Sequence, residues 1–537
     1  MVTTRRMPIT LAHVIVLIHF SLITAPVGAA DDLIAEWPNG NQSNSDAGFQ
    51  LHEDGGRRFA QWKDSTKLQL GNSDFTILLR TNGEGELLSQ FDHATRKGFH
   101  LGIITRQGVT HSQANVRQLT FGLDDGSAPA AWVDHGRLGH AIYVHALAIH
   151  DRHLYAGTCE PGKDESGHVY RWDGDAKWTD CGSPHPCNAV ISLAEYREKL
   201  YAGVGKYRVA GSALPESENQ NLGGKVFRYE GDRTWKEVGS FDGVEAIGGL
   251  LAAEDGLYAS SLYKPAGLFR MDSEGAWSPL PLPDSGKRVE SMMTFRGQIF
   301  ATSYDNGHVY RFDQSQWIDT GPVGDNTQTY GFAIQDDQLF VSTWPSGKVF
   351  RHDGDMKWAD VGRLGQELEV MGMASYNGKL YAGTLPLAEV YRFDGGTSWT
   401  STGRVDLTPE VKYRRAWSMA VFGGKLFCGT LPSGHVQSLA VGQCVTFDRT
   451  LAEGWHDIAA VRRGGELCLF VDGKLVARSG RANDPSIDVS SAASWFVGKG
   501  PTGIAEGAIA DVRIFRRALS EDEIQKQTHD RISSPAK

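Results

Sequence analysis

A short strand motif recurs seven times in the middle of the chain. After each copy except the last comes an aromatic-rich stretch with a central arginine, and then a stretch that carries a tryptophan. One such unit cannot bury both of its faces alone, so a repeat of 40 to 57 residues with about four strands per unit is typical of propeller blades. The copies are LYAGT at Leu154, LYAGV at Leu200, LYASS at Leu257, IFATS at Ile299, LFVST at Leu339, LYAGT at Leu380 and LFCGT at Leu426.

The seventh copy has no tryptophan stretch of its own. A piece ahead of the first copy, WVDHGRLG at 132–139, matches WADVGRLG at 358–365 almost letter for letter. We therefore expect the chain before the first blade to supply the missing strand and to pair with residues 434–439, which closes the ring and removes its free sheet edges. The sequence favours a seven-bladed β-propeller over residues 130–440; the alternative is an open array of strands.

Two further repeated residue types predict structure more than function. Arginine recurs in six aromatic strands, which we interpret as hydrogen bonding between blades, and the tryptophans are interpreted as packing between blades. The arginines are Arg171, Arg228, Arg270, Arg311, Arg351 and Arg392. The tryptophans are Trp132, Trp178, Trp235, Trp277, Trp317, Trp358 and Trp399.

The N-terminus has the pattern of an export leader. Arg5 and Arg6 precede a mostly apolar run, and Gly28 and Ala30 have the small side chains expected before a cleavage point. We predict a signal peptide over residues 1–30 and a secreted or periplasmic protein; the alternative is an uncleaved anchor. No later segment is apolar enough to span a membrane. Charges of both signs are interspersed and the formal net charge is -10, so a nucleic-acid surface is not expected.

The segments on either side of the repeats carry a different pattern. The C-terminal one contains WHDIAAV at 455–461, LCLFVDGK at 467–474 and DVRIFRRALSEDEI at 511–524. It resembles the second half of the laminin-G-like, concanavalin-like jelly roll, and DFTILLRT at 74–81 with GELLSQFD at 85–92 resembles the first half. Ser520 and Glu523 form the pattern of a capping box ahead of a short helix.

The resemblance implies an all-β chain in which a seven-bladed β-propeller is inserted into a jelly-roll β-sandwich. The expected halves of the sandwich are residues 31–129 and 441–530, with a tail at 531–537; the alternative is two independent β modules. The kelch and WD signatures are absent, so the repeats have no assigned family. The resemblance also implies carbohydrate or a cell-surface protein as partner, and calcium as a possible cofactor at Asp124, Asp125 and Asp511.

The chain has six cysteines, an even number that permits disulfides in an exported protein. Cys181 and Cys187 flank a short proline-bearing turn and form the best candidate pair. Two other pairs are conceivable: the first and last blades would bring Cys159 to Cys428, and two C-terminal strands would bring Cys444 to Cys468. Buried free thiols are the alternative. No C-x-x-C pattern points to zinc.

Candidate ligand-binding residues come from aligning the innermost strands of the blades. A repeat protein keeps its core positions uniform, so positions that diverge at one rim are the better candidates for function. Aromatic faces together with planar polar groups suit sugars and other polyols, although rim ion pairs of little consequence are the plainer interpretation. The candidates are Tyr143, His145, Arg288, Glu290, Tyr330, Trp344, Glu369, Arg415 and Trp417. The insertion at 207–221 in the second blade is expected to overhang the axis.

The leading hypothesis is an exported protein that binds carbohydrate or a cell-surface partner through the jelly roll and the propeller rim. We found no compact catalytic motif. One alternative is a polysaccharide-active enzyme at the propeller axis, with Glu290 and Glu369 as an acid/base pair and Tyr330 or His145 as proton donor. Another alternative is a structural or assembly module.

Overall fold

The repeated motif forms the second strand of each blade. In the sixth blade the motif strand Lys379–Leu385 pairs antiparallel with Glu369–Tyr376 on its axial side and with Glu389–Gly395 on its outer side. This computed structural model describes residues 33–36, 49–62, 68–127, 129–284, 286–480 and 487–532. The chain is all-β: a seven-bladed β-propeller inserted into a concanavalin-like β-sandwich. The predicted signal peptide lies outside the described residues.

Each blade has four antiparallel strands, and blades 1 and 2 are joined by one further pairing between Cys159 and Ala189. From the axis outward, the strands of blades 1 to 4 are Tyr143–His150, His153–Cys159, Val169–Gly174 and Lys177–Asp180; Ala189–Tyr196, Lys199–Gly205, Lys225–Gly231 and Thr234–Ser240; Ile247–Ala253, Gly256–Ser261, Leu268–Met271 and Trp277–Pro279; Val289–Phe295, Gln298–Ser303, His308–Phe312 and Trp317–Pro322. Those of blades 5 to 7 are Gln328–Gln335, Gln338–Trp344, Lys348–His352 and Trp358–Arg363; Glu369–Tyr376, Lys379–Leu385, Glu389–Gly395 and Ser398–Arg404; Arg415–Phe422, Lys425–Leu431, His435–Leu439 and Trp132–Arg137.

The ring closes as predicted. The outermost strand of blade 7 is Trp132–Arg137, which comes from before blade 1 and pairs with His435–Leu439, Trp132 lying opposite Leu439. Closure by a strand from the other end of the repeat array ties the first blade to the last one.

The tryptophans, and not the arginines, make the hydrogen bonds between blades. Each indole N–H donates to the outermost part of the preceding blade, over 2.8 to 3.2 Å; the acceptors are backbone carbonyls except for the hydroxyl of Thr402, which serves Trp132. The interpretation of the repeated arginines was wrong. They bind acidic or amide side chains of their own blade, as Arg171 binds Asp173 and Arg392 binds Asp394, because their strand faces solvent on one side.

We expect Trp399→Phe to lower the free energy of unfolding by about 1 kcal/mol or more, because the carbonyl of Val361 loses the indole N–H that lies 2.9 Å away. Trp399→Ala should cost about 3 kcal/mol or more, since the packing is lost as well. Urea unfolding measures both. If the Phe variant is as unstable as the Ala variant, the hydrogen bond alone accounts for the loss. That result would contradict a separate contribution from packing.

The sandwich is completed by strands from both sides of the propeller. One sheet has six strands, in the order Leu33–Glu36, Ile509–Phe515, Phe75–Thr81, His456–Arg463, Glu466–Val471 and Lys474–Arg478. The other has seven, in the order Phe49–Asp54, Arg57–Trp62, Trp495–Val497, Gly85–Asp92, Lys97–Arg106, Asn115–Asp124 and Gln443–Phe447. A two-stranded ribbon, Lys499–Gly500 with Gly503–Ile504, lies beside them.

Side chains that alternate inward from the two sheets form one core, which includes Phe75, Phe99, Phe121 and Trp495. The helix Glu521–Ile532 follows the last strand. Its predicted capping box is present, because the Ser520 and Glu523 side chains each accept a hydrogen bond from the backbone N–H of the other residue. Among the described residues, none forms a helix that is long and apolar enough to cross a membrane.

The outer face of the seven-stranded sheet packs against one end of the propeller. Arg106 donates to the carbonyl of Ser375 over 2.7 Å, and Gln118 donates to the carbonyl of Val421 over 2.9 Å. Asp124 forms an ion pair with Lys379 of blade 6, and both side chains are buried. Most of this face of the jelly roll is therefore covered by the propeller.

The three calcium candidates do not form one site. Asp124 is engaged by Lys379, Asp125 accepts hydrogen bonds from Ser127, and Asp511 lies in the opposite sheet. The described part of the chain contains no group of three or more metal-ligating side chains.

The expected disulfides are not formed, because all six cysteines are buried free thiols. Cys444 and Cys468 belong to hydrophobic clusters on different sides of the sandwich, and Cys159 and Cys428 also belong to separate clusters. Cys181 and Cys187 share a cluster, but each thiol points to a carbonyl nearby in its own segment, that of Thr179 or that of Ala189.

Candidate functional site

A hairpin of the jelly roll enters the axial channel of the propeller. Residues 107–114, here called the axial plug, connect the strands Lys97–Arg106 and Asn115–Asp124. In blade 6 the plug passes Gly372, where a Cβ atom would lie 2.7 Å from Thr110 Oγ1. In the other six blades it forms hydrogen bonds with backbone groups of Ile149, Leu193, Leu250, Thr294, Phe332 and Trp417.

The tip of the plug binds the side chain of one predicted site residue, Glu290. The imidazole of His111 is hydrogen-bonded to the carboxylate of Glu290, and both side chains are buried. The ring of His111 also lies 5.0 Å from the ring of Trp417. The plug therefore closes the axial channel on the jelly-roll side. It forms the floor beneath the candidate residues on the other side. The plug was not predicted, because nothing in the sequence of a polar hairpin indicates which residues of other segments it will contact.

Seven of the nine candidate residues meet beyond the plug. The rings of Tyr143 and Tyr330 lie 5.4 and 6.2 Å from Trp417, and the Arg415 guanidinium lies 5.8 Å from the same ring. Arg415 is 4.0 Å from the carboxylate of Glu369. We call this set the axial cluster; its members are Tyr143, His145, Glu290, Tyr330, Glu369, Arg415 and Trp417, and all are buried.

Several polar atoms of the axial cluster have no hydrogen-bond partner among the described residues. They are the Tyr143 hydroxyl, both ring nitrogens of His145, Arg415 Nε and Trp417 Nε1. A buried polar atom without a partner costs about 1–3 kcal/mol. The unpartnered atoms belong to four residues arranged around one axis.

Burial shifts the pKa values of His145 and Glu369 in the axial cluster. It lowers the pKa of His145 well below the usual range, and His111 and Arg415 add to this effect, so His145 is neutral. Burial also raises the pKa of Glu369, although the Arg415 guanidinium opposes the shift. Arg415 keeps its positive charge throughout the physiological pH range.

The insertion in blade 2 covers the axial cluster, as its length predicted. The ring of Tyr207 lies 4.5 Å from that of His145, and a 3-10 helix, Val209–Ser212, follows it. The Ser212 hydroxyl accepts hydrogen bonds from Arg415 and is also bonded to the Tyr207 hydroxyl. The burial of the cluster is thus produced by two segments outside the regular blade pattern, the plug and this insertion.

The two remaining candidates lie at the outer rim, above the axial cluster. Arg288 forms an ion pair with Asp305 over 2.7 Å, and its guanidinium lies 4.7 Å from the ring of Tyr304. Trp344 is half-buried, as are Tyr263 and Tyr304. We call Tyr263, Tyr304 and Trp344 the rim aromatics. The Arg208 guanidinium likewise lies 4.5 Å from the ring of Tyr263, so one face of each tyrosine ring is covered. All three rings are partly exposed next to the polar atoms of the cluster.

Beside the rim, Glu160 is a buried carboxyl whose pKa is raised to about 7 by burial, with the neighbouring Glu165 adding to the shift. The folded protein holds a proton that the unfolded chain releases above about pH 4.5. This contribution to stability is complete below that pH and is lost as pH rises through about 7. Between pH 5 and pH 8 the free energy of unfolding of the parent should fall by about 3 kcal/mol because of this group. We expect Glu160→Gln to remove this fall, as measured by urea unfolding. The exposed Glu274→Gln should leave the slope unchanged; an unaltered slope in Glu160→Gln would contradict the assignment.

One family model matches the C-terminal part of the chain. Residues 416–525 match the family described as the concanavalin A-like lectin/glucanases superfamily (Laminin_G_3), a match that begins inside blade 7. A comparison with curated proteins finds no match.

Solved structures similar to this chain include propellers. Virginiamycin B lyase from Staphylococcus aureus is 11% identical with a TM-score of 0.46, over 58% of this chain and 99% of that one. A streptogramin B lyase is 9% identical with a TM-score of 0.47, over 58% and 98%. The WD40 β-propeller domain of Doa1 is 14% identical with a TM-score of 0.41, over 58% and 97%.

Proposed function

We propose that this protein is an exported carbohydrate-binding protein and that its sugar site is the rim of the propeller axis opposite the jelly roll. The observation that carries the proposal is the juxtaposition of unpartnered buried donors with partly exposed aromatic rings. The donors are the Tyr143 hydroxyl, Arg415 Nε and Trp417 Nε1; the rings are the rim aromatics. Sugars present hydroxyls to such donors and C–H faces to such rings.

The family match at residues 416–525 supports carbohydrate as the ligand class, because its description includes lectins. Export rests on the pattern of residues 1–30, with Arg5, Arg6 and the small residues Gly28 and Ala30. The rim is preferred over the jelly roll as the sugar site because most of the outer face of the seven-stranded sheet is covered by the propeller.

The experiment is a glycan array with the full chain, followed by titration of the best ligand. Trp344→Ala removes a rim ring, and we expect it to weaken binding about tenfold, which corresponds to about 1.4 kcal/mol. Trp455→Ala is the matched control, because Trp455 is an exposed tryptophan of the jelly roll. Loss of binding in Trp455→Ala with full binding in Trp344→Ala would move the site to the jelly roll. Absence of any sugar ligand would overturn the proposal.

No observation favours a catalytic function at this rim over binding. In the enzyme hypothesis Glu290 and Glu369 act as a pair, but Glu290 is bound by His111 of the plug at the floor of the cluster. Release of reducing ends or unsaturated products from polysaccharides, abolished by Glu290→Gln, would restore that hypothesis.

A further inference from the structure

A cavity lies at the end of the propeller opposite the rim, where the jelly roll leaves part of the blade hairpins uncovered. It has a volume of about 890 Å³ and is lined by both modules. The seven-stranded sheet contributes Val116 and Arg117, while blades 2 to 6 contribute residues next to their inner hairpins. We call it the interdomain crevice. Its volume is in the range of sites that bind small molecules or short peptide segments.

The floor of the interdomain crevice is aliphatic. Val116, Ala252, Ala253 and Ile334 are half-buried there, so part of each apolar side chain remains open to the cavity. Such a surface favours apolar groups of a ligand, since each contact removes apolar area from water.

Two aromatic rings of the crevice each have a covered face. The Arg197 guanidinium lies over the ring of Tyr196 at 5.2 Å, and the Arg296 guanidinium lies over Phe295 at 5.0 Å. A sugar stacks on a free ring face, and one face of each of these two rings is covered by a guanidinium.

The cations of the crevice are largely engaged. Arg57 and Arg296 both bind the carboxylate of Asp337, Arg296 over 2.7 Å. Arg117 binds Glu84 over 3.2 Å. Arg106 is buried and donates to the carbonyl of Ser375 and to Gln118, and Arg197 donates to the carbonyl of Ser273.

Three exposed carboxylates around the crevice have no cationic partner among the described residues, and they belong to three separate loops. They are Glu254 of blade 3, Glu453 of the chain leaving the propeller, and Glu506 of the jelly roll. Burial raises the pKa of Glu84 and the Glu506 carboxylate adds to the shift, while Thr105 and Arg117 oppose it.

We propose that the interdomain crevice binds an extended peptide segment of a partner protein, with apolar side chains on the aliphatic floor and Lys or Arg side chains at Glu254, Glu453 and Glu506. Charge complementarity selects the cationic residues, and the aliphatic floor together with the covered aromatic faces selects a peptide over an amino sugar. The inference is independent of the rim site, because the two lie at opposite ends of the axis.

The probe is an acetylated, amidated hexapeptide of alternating leucine and lysine, titrated calorimetrically into the full chain. We expect saturable binding that weakens at least tenfold in the triple variant Glu254→Gln, Glu453→Gln, Glu506→Gln, and that falls with added salt. The control is a second triple variant, Glu218→Gln, Glu274→Gln, Glu410→Gln, which removes the same charge from exposed positions outside the crevice. It should bind as the parent does.

Three results would overturn the inference: no binding of the peptide, equal weakening in both triple variants, or equal binding of an alternating leucine–glutamate hexapeptide. Crevice-dependent binding of a glucosamine oligomer without binding of the peptide would overturn it in favour of an amino-sugar site. Trp344→Ala should leave peptide binding unchanged, so a failure here is distinguishable from a failure at the rim.

Discussion

Replacing residues 107–114 by a two-residue turn between Arg106 and Asn115 is expected to destabilise the propeller strongly. The replacement removes hydrogen bonds to six blades and leaves backbone groups such as Leu250 N and Phe332 N without their partners at the axis. At about 1 kcal/mol for each bond, with partial compensation by water, the loss is about 3–6 kcal/mol. Calorimetry should show a lower Tm and separate transitions for the two modules.

The control for the plug replacement is a change of the same kind in an exposed hairpin, Ser273→Gly with Glu274→Gly in blade 3. It should shift Tm by little. The point variant His111→Leu tests the tip alone; it leaves Glu290 buried without its partner and should cost about 2–4 kcal/mol. A plug replacement that melts as the parent does, in one transition, would show that the plug fills the axis without holding the blades.

The blades were predictable because the signals are local and repeated. Each copy of the motif, such as LYAGT at Leu380, places a strand, and seven copies at similar spacing determine the architecture. Closure by the strand at Trp132 was predictable for the same reason, because blade 7 lacks a tryptophan strand of its own and an additional tryptophan strand precedes blade 1. Repetition did not show which partner a repeated residue has: the tryptophans bind the neighbouring blade, whereas the arginines bind their own.

Convergence of the candidate residues was predictable from their common position in the innermost strands. Their burial was not, because it is produced by segments that do not repeat. His111 and Glu290 are 179 residues apart, and Ser212 and Arg415 are 203 apart. Long-range pairs of this kind leave no periodic pattern in one sequence. The same holds for Asp124, which the resemblance to the jelly roll made a calcium candidate and which in the fold meets a lysine 255 residues away.

Lys379→Met is expected to cost about 3–5 kcal/mol, because it leaves the Asp124 carboxylate buried between the jelly roll and blade 6 without its cation. Burial already lowers the pKa of Lys379 despite the opposing charge of Asp124, which shows how strongly this interface disfavours an unpaired charge. The free energy of unfolding in urea measures the effect.

The double variant Lys379→Met with Asp124→Asn should recover most of that loss. The amide oxygen still accepts from the Gly126 N–H, now 2.7 Å from the Asp124 carboxylate, while no charge remains to be buried. The comparison pair is Lys348 and Asp360 of blade 5, a partly exposed ion pair for which Lys348→Met should cost less than about 1 kcal/mol. Equal costs for Lys379→Met and Lys348→Met would mean that water reaches Asp124. A double variant no more stable than Lys379→Met would assign the loss to packing of the lysine stem instead of the uncompensated charge.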